Sequence, residues 1–254
     1  MSPSTETREN REFASEIKFV IAPALAEQIC DWTHGRLAPD PNASVKEEEA
    51  YQISSLYFDT EQFDVFHRKG SFGRSKLRIR RYGTGDIAFL ERKLKTRGLV
   101  TKRRAIVQIS ELQRLTGGHP ESGWAGYWFH RRLLARHLKT VAQISYFRTA
   151  RVAMTSGGPI RLTLDHDVRA VPAIDFGFSH TTTGTRLQEN QVILELKFLF
   201  QMPALFKQLV EEFALTPQPV SKYRLAAVAL GLAAQVETEP PKILQSNASL
   251  SLAL

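Results

Sequence analysis

The chain has 254 residues, with 34 Lys and Arg against 26 Asp and Glu, a formal charge of +8 and a pI near 9.7. At 43% hydrophobic and 24% charged it has the composition of a folded domain rather than a disordered chain, and its basic balance predicts an anionic partner. A single cysteine, Cys30, excludes a disulfide framework and a cysteine-rich metal site, and no apolar stretch reaches the roughly 20 residues of a membrane helix.

The N-terminus, MSPSTETRENREFASE, is polar and charged with no apolar core, so no secretory signal is read and a cytoplasmic protein is expected. Residues 1–11 and 237–254 read as flexible tails, the second opening on Pro240-Pro241. Residues 12–236 read as one folded domain without a repeat or a long linker. Within it, period-2 alternation predicts strands over 13–21, 51–58, 75–82, 87–95, 99–109, 142–153, 160–165 and 191–199. Helical spacing predicts helices from Pro23 to about His34, around 61–68, over 124–138, after Pro203 to Phe213, and from Ser221 to about Ala234. Pro23 and Pro203 stand where a first helical turn tolerates proline, and Ser221 is a candidate N-cap.

Alternation in a strand sends neighbouring side chains to opposite faces. Lys76, Arg78 and Arg80 share one face while Leu77 and Ile79 share the other; Glu91, Lys93 and Lys95 oppose Leu90 and Leu94. Lys102 and Arg104 lie together, as do Tyr146 and Arg148, and Arg161, Thr163 and Asp165 oppose Leu162 and Leu164. Glu195 and Lys197 oppose Leu194, Leu196 and Phe198, and Glu16 and Lys18 oppose Ile17 and Phe19. One face per strand thus gathers eleven cations, Lys18, Lys76, Arg78, Arg80, Lys93, Lys95, Lys102, Arg104, Arg148, Arg161 and Lys197, against the four acids Glu16, Glu91, Asp165 and Glu195.

Such a surplus repels itself across a ladder unless an anion sits in it, and phosphate suits Arg forks and Lys point charges. A solvated face would mix Ser, Thr, Gln and Asn among the charges, and these faces are dominated by charge. The pattern therefore predicts an α+β fold: a closed or nearly closed antiparallel β-barrel with a basic lumen and an apolar exterior clad by several α-helices. Glu91 and Asp165 read as ion-pair partners that orient the cations. His166, between Asp165 and Asp167, reads as a surface cluster, Lys46-Glu47-Glu48-Glu49 as a solvated loop, the basic segment 130–139 as a solvated helix and Cys30 as a core residue. Tyr146 and Tyr223 fit either a phosphate hydrogen bond or burial against the barrel.

The motifs Ser55-Leu56-Tyr57-Phe58-Asp59-Thr60, Lys76-Leu77-Arg78-Ile79-Arg80 with Tyr82-Gly83, Leu90-Glu91-Arg92-Lys93, Thr101-Lys102-Arg103-Arg104, Tyr146-Phe147-Arg148-Thr149-Ala150, Arg161-Leu162-Thr163-Leu164-Asp165, Glu195-Leu196-Lys197 and Ser221-Lys222-Tyr223 follow one another in the chain. In this order they resemble the VTC (vacuolar transporter chaperone) polyphosphate polymerase domain of the triphosphate tunnel metalloenzyme superfamily. The resemblance spans roughly 12–232. It implies an eight-stranded antiparallel tunnel that binds ATP and a divalent metal, Mn²⁺ or Mg²⁺, and extends inorganic polyphosphate. By similarity Arg78, Arg80, Lys93, Arg148 and Arg161 are the catalytic cations. Lys18, Lys76, Lys95, Lys102, Arg104, Lys197, Lys222 and Tyr146 complete the phosphate path, and Glu195 is the metal ligand. Many tunnel enzymes carry Glu-x-Glu-x-Lys on the first strand; here Ala14 replaces the first acid, a departure closer to the VTC branch than to the hydrolases and cyclases.

Three other readings stand beside polymerase: a triphosphatase, a non-catalytic polyphosphate sensor or carrier, and a nucleic-acid binder. The last predicts stacking rings among the cations, and the charged faces offer little beyond Phe89 and Tyr146, so no nucleic-acid partner is expected. With no membrane span of its own, the chain would need a membrane-protein partner for any export of product.

Overall fold

The computed structural model describes residues 6–9, 15–40, 50–96, 99–180 and 183–233, with backbone alone for 6–9, 95, 96, 99 and 100. Ala14, the Lys46-to-Glu49 run and the stretch 237–254 read as a tail lie outside the described residues. In chain order the elements are β1 (Glu6–Glu9), β2 (Ser15–Ile21), α1 (Pro23–Thr33), β3 (Ala38–Pro39), β4 (Ala50–Asp59), β5 (Ser75–Tyr82), β6 (Ile87–Thr96) and β7 (Leu99–Gln108). They continue with α2 (Tyr127–Ala135), β8 (Lys139–Thr155), β9 (Gly158–Pro172), β10 (Thr185–Arg186), β11 (Val192–Phe198), α3 (Ala204–Glu212) and α4 (Lys222–Ala229), with short 3-10 turns at Gly70–Arg74 and Ile109–Thr116.

All strands join one antiparallel sheet in the order β1-β7-β6-β5-β4-β8-β9-β11-β2, with β3 beside β8 and β10 beside β9. The predicted eight strands are the long ones, but the hydrogen-bonded path does not close into a barrel: among the described residues β2 and β7 are not paired. Each has another partner for its outer edge. β1, from the stretch read as a tail, pairs with β7 from Glu6↔Ala105 to Glu9↔Lys102, and Gln218 donates its amide to the Lys18 carbonyl of β2 at 2.8 Å. Both edges are thereby covered. The sheet still curls far enough for Lys93 of β6 to reach Glu16 of β2 at 3.0 Å.

The convex face is apolar, as the alternation requires. Phe19, Leu162, Leu194 and Leu196 pack under α1 and α3, which contribute Ile29, Trp32, Phe206 and Leu209. Leu56, Leu77, Ile79, Leu90 and Val107 form a second cluster with Phe129 of α2 and Ala226 of α4. Fully buried side chains of this size contribute roughly 1.5–3 kcal/mol each, so the helices hold the curl from outside.

The structure corrects several elements. The predicted helix at 61–68 is a turn-rich loop, because the buried Asp59 carboxylate takes the amides of Thr60, Val65 and Phe66 at 2.8–2.9 Å in place of helical carbonyls. β9 runs well past the predicted 165, through a bulge at Asp167, whose φ is +47°. The strand expected to 109 stops at Gln108, where Glu111 caps the Gln108 amide and starts a 3-10 turn. α2 is shorter than 124–138, and α4 ends before Ala234, where Gly231 takes a left-handed φ of +64°.

Candidate functional site

Register stacks the charged rows. Lys76 faces Lys93, which faces Lys102; Arg78 faces Glu91, which faces Arg104. On the other half of the sheet Lys18 faces Glu195, Glu16 faces Lys197, and Arg148 faces Asp165. Curling turns these positions inward around a cavity of about 420 Å³ whose lining carries twelve Lys and Arg against three carboxylates, Glu16, Glu91 and Glu195.

The carboxylates occupy most of these cations. Glu91, 2% exposed, accepts from Arg78 at 2.6 Å and from Arg104 at 2.6 and 2.9 Å. Burial opposes its ionisation, but Arg78, Arg80, Lys102 and Arg104 hold it well below the usual range. Asp165, fully buried, takes both forks of Arg148 at 2.6 and 2.7 Å and Lys222 at 2.6 Å; against burial, these cations likewise hold it low. Glu195 pairs with Lys197 at 2.6 Å and Lys18 at 3.8 Å, while Glu16 pairs with Lys18 and Lys93, each at 3.0 Å.

Among the described residues that line the cavity, Arg80 and Lys76 have no carboxylate within ion-pair distance. Arg80, 5% exposed, donates to the hydroxyls of Ser55 at 3.3 Å and Tyr146 at 3.1 Å and interacts with the Tyr82 phenol. The Lys76 ammonium reaches Ser221 Oγ at 3.4 Å, and burial together with Lys18, Arg68 and Lys93 lowers its pKa. Holding such charges without counter-ions costs several kcal/mol, which the helical cladding must carry and a multivalent anion would relieve. Tyr57 lines the same wall: despite burial, Arg78 and Arg80 lower its phenol pKa.

Residues 13–230 match the family described as VTC domain. The chain belongs to this family. Among solved structures, a candidate adenylate cyclase from Bacillus halodurans superposes with a TM-score of 0.51 at 15% identity, over 85% of this chain and 95% of that one, and shows the shared triphosphate tunnel fold. A candidate adenylyl cyclase from Hippeastrum with a dominant triphosphatase activity superposes at 0.49, 16% identity, over 85% and 95% of the chains. No curated protein matches.

In this VTC domain the cavity is lined by Lys18, Lys76, Arg78, Arg80, Lys93, Lys102, Tyr146, Arg148, Glu195, Lys197 and Lys222, all singled out by strand alternation or by the resemblance. Arg104 stands behind Glu91, and the Lys95 side chain lies outside the described residues. Arg161 is the exception, placed beyond the lining on Asp40 and Tyr51. Tyr57, Arg68, Arg74, Arg92 and Ser221 join the lining unforeseen. Tyr57 could have been found from its parity with Ser55 in β4. Arg68 and Arg74 could not, since their loop is shaped by Asp59 and by Gly73, where a Cβ would meet the Arg68 carbonyl at 2.8 Å.

His166 lies outside, stacked on Phe147 at 5.8 Å, and Asp167 pairs with Arg169 and Arg186. Among the described residues no cluster of three or more His, Cys, Asp and Glu could hold a metal unaided. Glu195 and Glu16, which share Lys18, are a donor set that suits a hard cation drawing its remaining ligands from phosphate oxygens.

Proposed function

We propose that this VTC domain binds ATP and inorganic polyphosphate in the tunnel and transfers the γ-phosphate of ATP to the chain, as a polyphosphate polymerase. The observation that carries it is Arg80: a buried guanidinium with neutral partners, beside Arg78 and above a row of lysines, is a device for a multivalent phosphate. Phosphoryl transfer asks the protein mainly for in-line positioning and charge neutralisation. Arg78, Arg80, Lys93 and Arg148 hold the transferred group and its neighbours; Lys18, Lys76, Lys102, Lys197, Lys222 and the Tyr146 hydroxyl hold the flanking phosphates. Arg104 and Arg161 support them through Glu91 and Asp40.

Glu195 and Glu16 would hold Mn²⁺ or Mg²⁺, which when bound neutralises charge on the phosphate oxygens. Among the described residues no helix is long and apolar enough to cross a membrane. A cytoplasmic setting that supplies ATP, with a membrane-protein partner for export, completes the proposal. Purified protein with ATP, Mn²⁺ and a short polyphosphate primer should yield ADP and polymer on a stained gel, and Arg78→Ala should yield neither. ADP with free phosphate and no polymer would make it a triphosphatase; tight polyphosphate binding without turnover would make it a carrier or sensor.

A further inference from the structure

Tyr57 stands in the lumen wall among the cations of the phosphate path. β4 sets it directly opposite Arg78 of β5, as it sets Ser55 opposite Arg80, so its side chain shares the inward face with the guanidinium row. The residue is buried, and its ring stacks on Tyr223 of α4 with centroids 5.6 Å apart and planes 15° from parallel, which holds it in place. The charged groups that face it are all cations: Lys76, Arg78 and Arg80 from β5, Lys18 from β2 and Lys222 from α4. From β8 it meets Ala142 in register, while Tyr146 of that strand takes Arg80. The acids of the lining are engaged elsewhere, Glu91 by Arg78 and Arg104, Glu195 by Lys197, and Glu16 by Lys18 and Lys93. The stacked tyrosines are pulled in opposite directions. Tyr223 donates its hydroxyl to Asp59, and burial together with that carboxylate raises its pKa. Burial would raise Tyr57 as well, but Arg78, Arg80 and Lys222 outweigh it and lower its pKa.

We propose that Tyr57 is a further phosphate-binding residue whose hydroxyl takes up a proton as the anion enters: in alkaline solution it is the phenolate counter-charge to Arg78 and Arg80 in the ligand-free protein, and a phenol donating to a phosphate oxygen in the complex. The inference rests on the phosphate-binding reading above and deepens it. A bound phosphate supplies the negative charge these cations lack, so the phenolate is no longer favoured, and ionised phosphate oxygens accept hydrogen bonds without donating them. Only the protonated hydroxyl suits such a neighbour. The proton comes from the buffer, one for each Tyr57 that stands ionised, and no other covalent bond is made or broken. Linkage fixes the sign. Binding raises the Tyr57 pKa, so affinity is full below the pKa of the ligand-free protein and falls as pH rises through it, by at most about tenfold per pH unit for one proton. Lys76 titrates in the same sense, because burial and neighbouring cations lower its pKa and an anion restores it. A pH profile alone therefore does not assign the proton, whereas tyrosinate absorbance does.

The test reads the near-ultraviolet tyrosinate band while tripolyphosphate is titrated into the Tyr82→Phe protein just below pH 10.0, the ordinary phenol value. Tyr82 is removed because its phenol also ionises beside Arg80. The expected result is a saturable loss of tyrosinate absorbance, equivalent to at most one phenolate per protein, that follows the binding isotherm from calorimetry and is absent when Tyr57→Phe is added. That double variant should still bind tripolyphosphate at neutral pH, about 2- to 10-fold more weakly for the one neutral hydrogen bond lost. Binding without any loss of tyrosinate overturns the inference, and so does a loss that persists without Tyr57. If the double variant does not fold, Tyr146→Phe combined with Tyr82→Phe decides: a loss that survives leaves the proton on Tyr57, and one that vanishes overturns the assignment. A complete absence of tripolyphosphate binding to the wild type is a different result, and it would count against the phosphate-binding reading itself.

Discussion

Replacing Arg80 with Met separates what the tunnel needs for ligand from what it needs for folding. Arg80 is buried, close to Arg78, and bonded to the Ser55 and Tyr146 hydroxyls rather than to a carboxylate. Exchanging buried ionic groups for packed apolar ones stabilises proteins by about 1–4 kcal/mol, and two neutral hydrogen bonds lost offset about 1 kcal/mol each. The balance is a gain of roughly 1 kcal/mol, or about 2–4 °C in Tm, in phosphate-free buffer. Ligand reverses the ranking. Tripolyphosphate at a hundred times its Kd stabilises the wild type by about 2.7 kcal/mol. Losing a charge-assisted contact of roughly 1.5–3 kcal/mol weakens binding about 10- to 150-fold and cuts that gain to roughly 0.3–1.4 kcal/mol at the same concentration. Differential scanning calorimetry with and without tripolyphosphate reads both quantities. An Arg80→Met protein that melts lower without ligand and gains as much with it would refute the reasoning, because Arg80 would then be a structural residue.

Glu195→Gln should leave metal-free tripolyphosphate binding intact or stronger while removing its enhancement by Mn²⁺, measured by calorimetric titration with and without the metal; undiminished metal dependence would exclude this carboxylate as a ligand. Asp165→Asn should destabilise the domain by roughly 3–5 kcal/mol in urea unfolding, because Arg148 and Lys222 remain buried beside a neutral group. Burial would raise the Tyr82 phenol, but Arg80 and Arg104 outweigh it and bring the pKa from 10.0 down to about 8. An acid depressed by folding supplies stability that is full above its unfolded value and lost as pH falls through its folded one. The wild type should therefore gain stability relative to Tyr82→Phe as pH rises from 8 to 10, with a phenolate absorbance step near pH 8 that the variant lacks.

The lumen was legible because a strand offers only two faces. Once Lys76, Arg78 and Arg80 stood opposite Leu77 and Ile79, their common destination followed from parity, and the same step placed Glu91, Lys93, Glu195 and Lys197. What parity cannot supply is position along the tunnel. Arg161 has the right face, yet it sits beyond the lining, because β3 brings in Asp40 from far away in the chain. Closure was equally hidden: whether β2 meets β7 depends on competitors for their edges, and β1 and Gln218 are such competitors. The loop after β4 departs from its helical periodicity for a related reason: the Asp59 carboxylate offers its amides a better partner.

The buried acids explain why so many cations on one face do not unfold the sheet. Glu91, Asp165, Glu195 and Glu16 each sit between two or more Lys and Arg, so the self-repulsion expected of the face is cancelled locally by groups that cannot leave. That arrangement also sets what can bind. A single small anion meets cations already satisfied by carboxylates and gains little. On the proposed function, a chain of phosphates would present several charges at fixed spacing, reach Arg80 and Lys76 together, and draw on the shared cations at each intervening step. On the same reading, affinity in such a lumen should grow with the number of linked phosphates rather than with the charge of any one, which ties the pairing of the acids to an expected preference for polymer over orthophosphate.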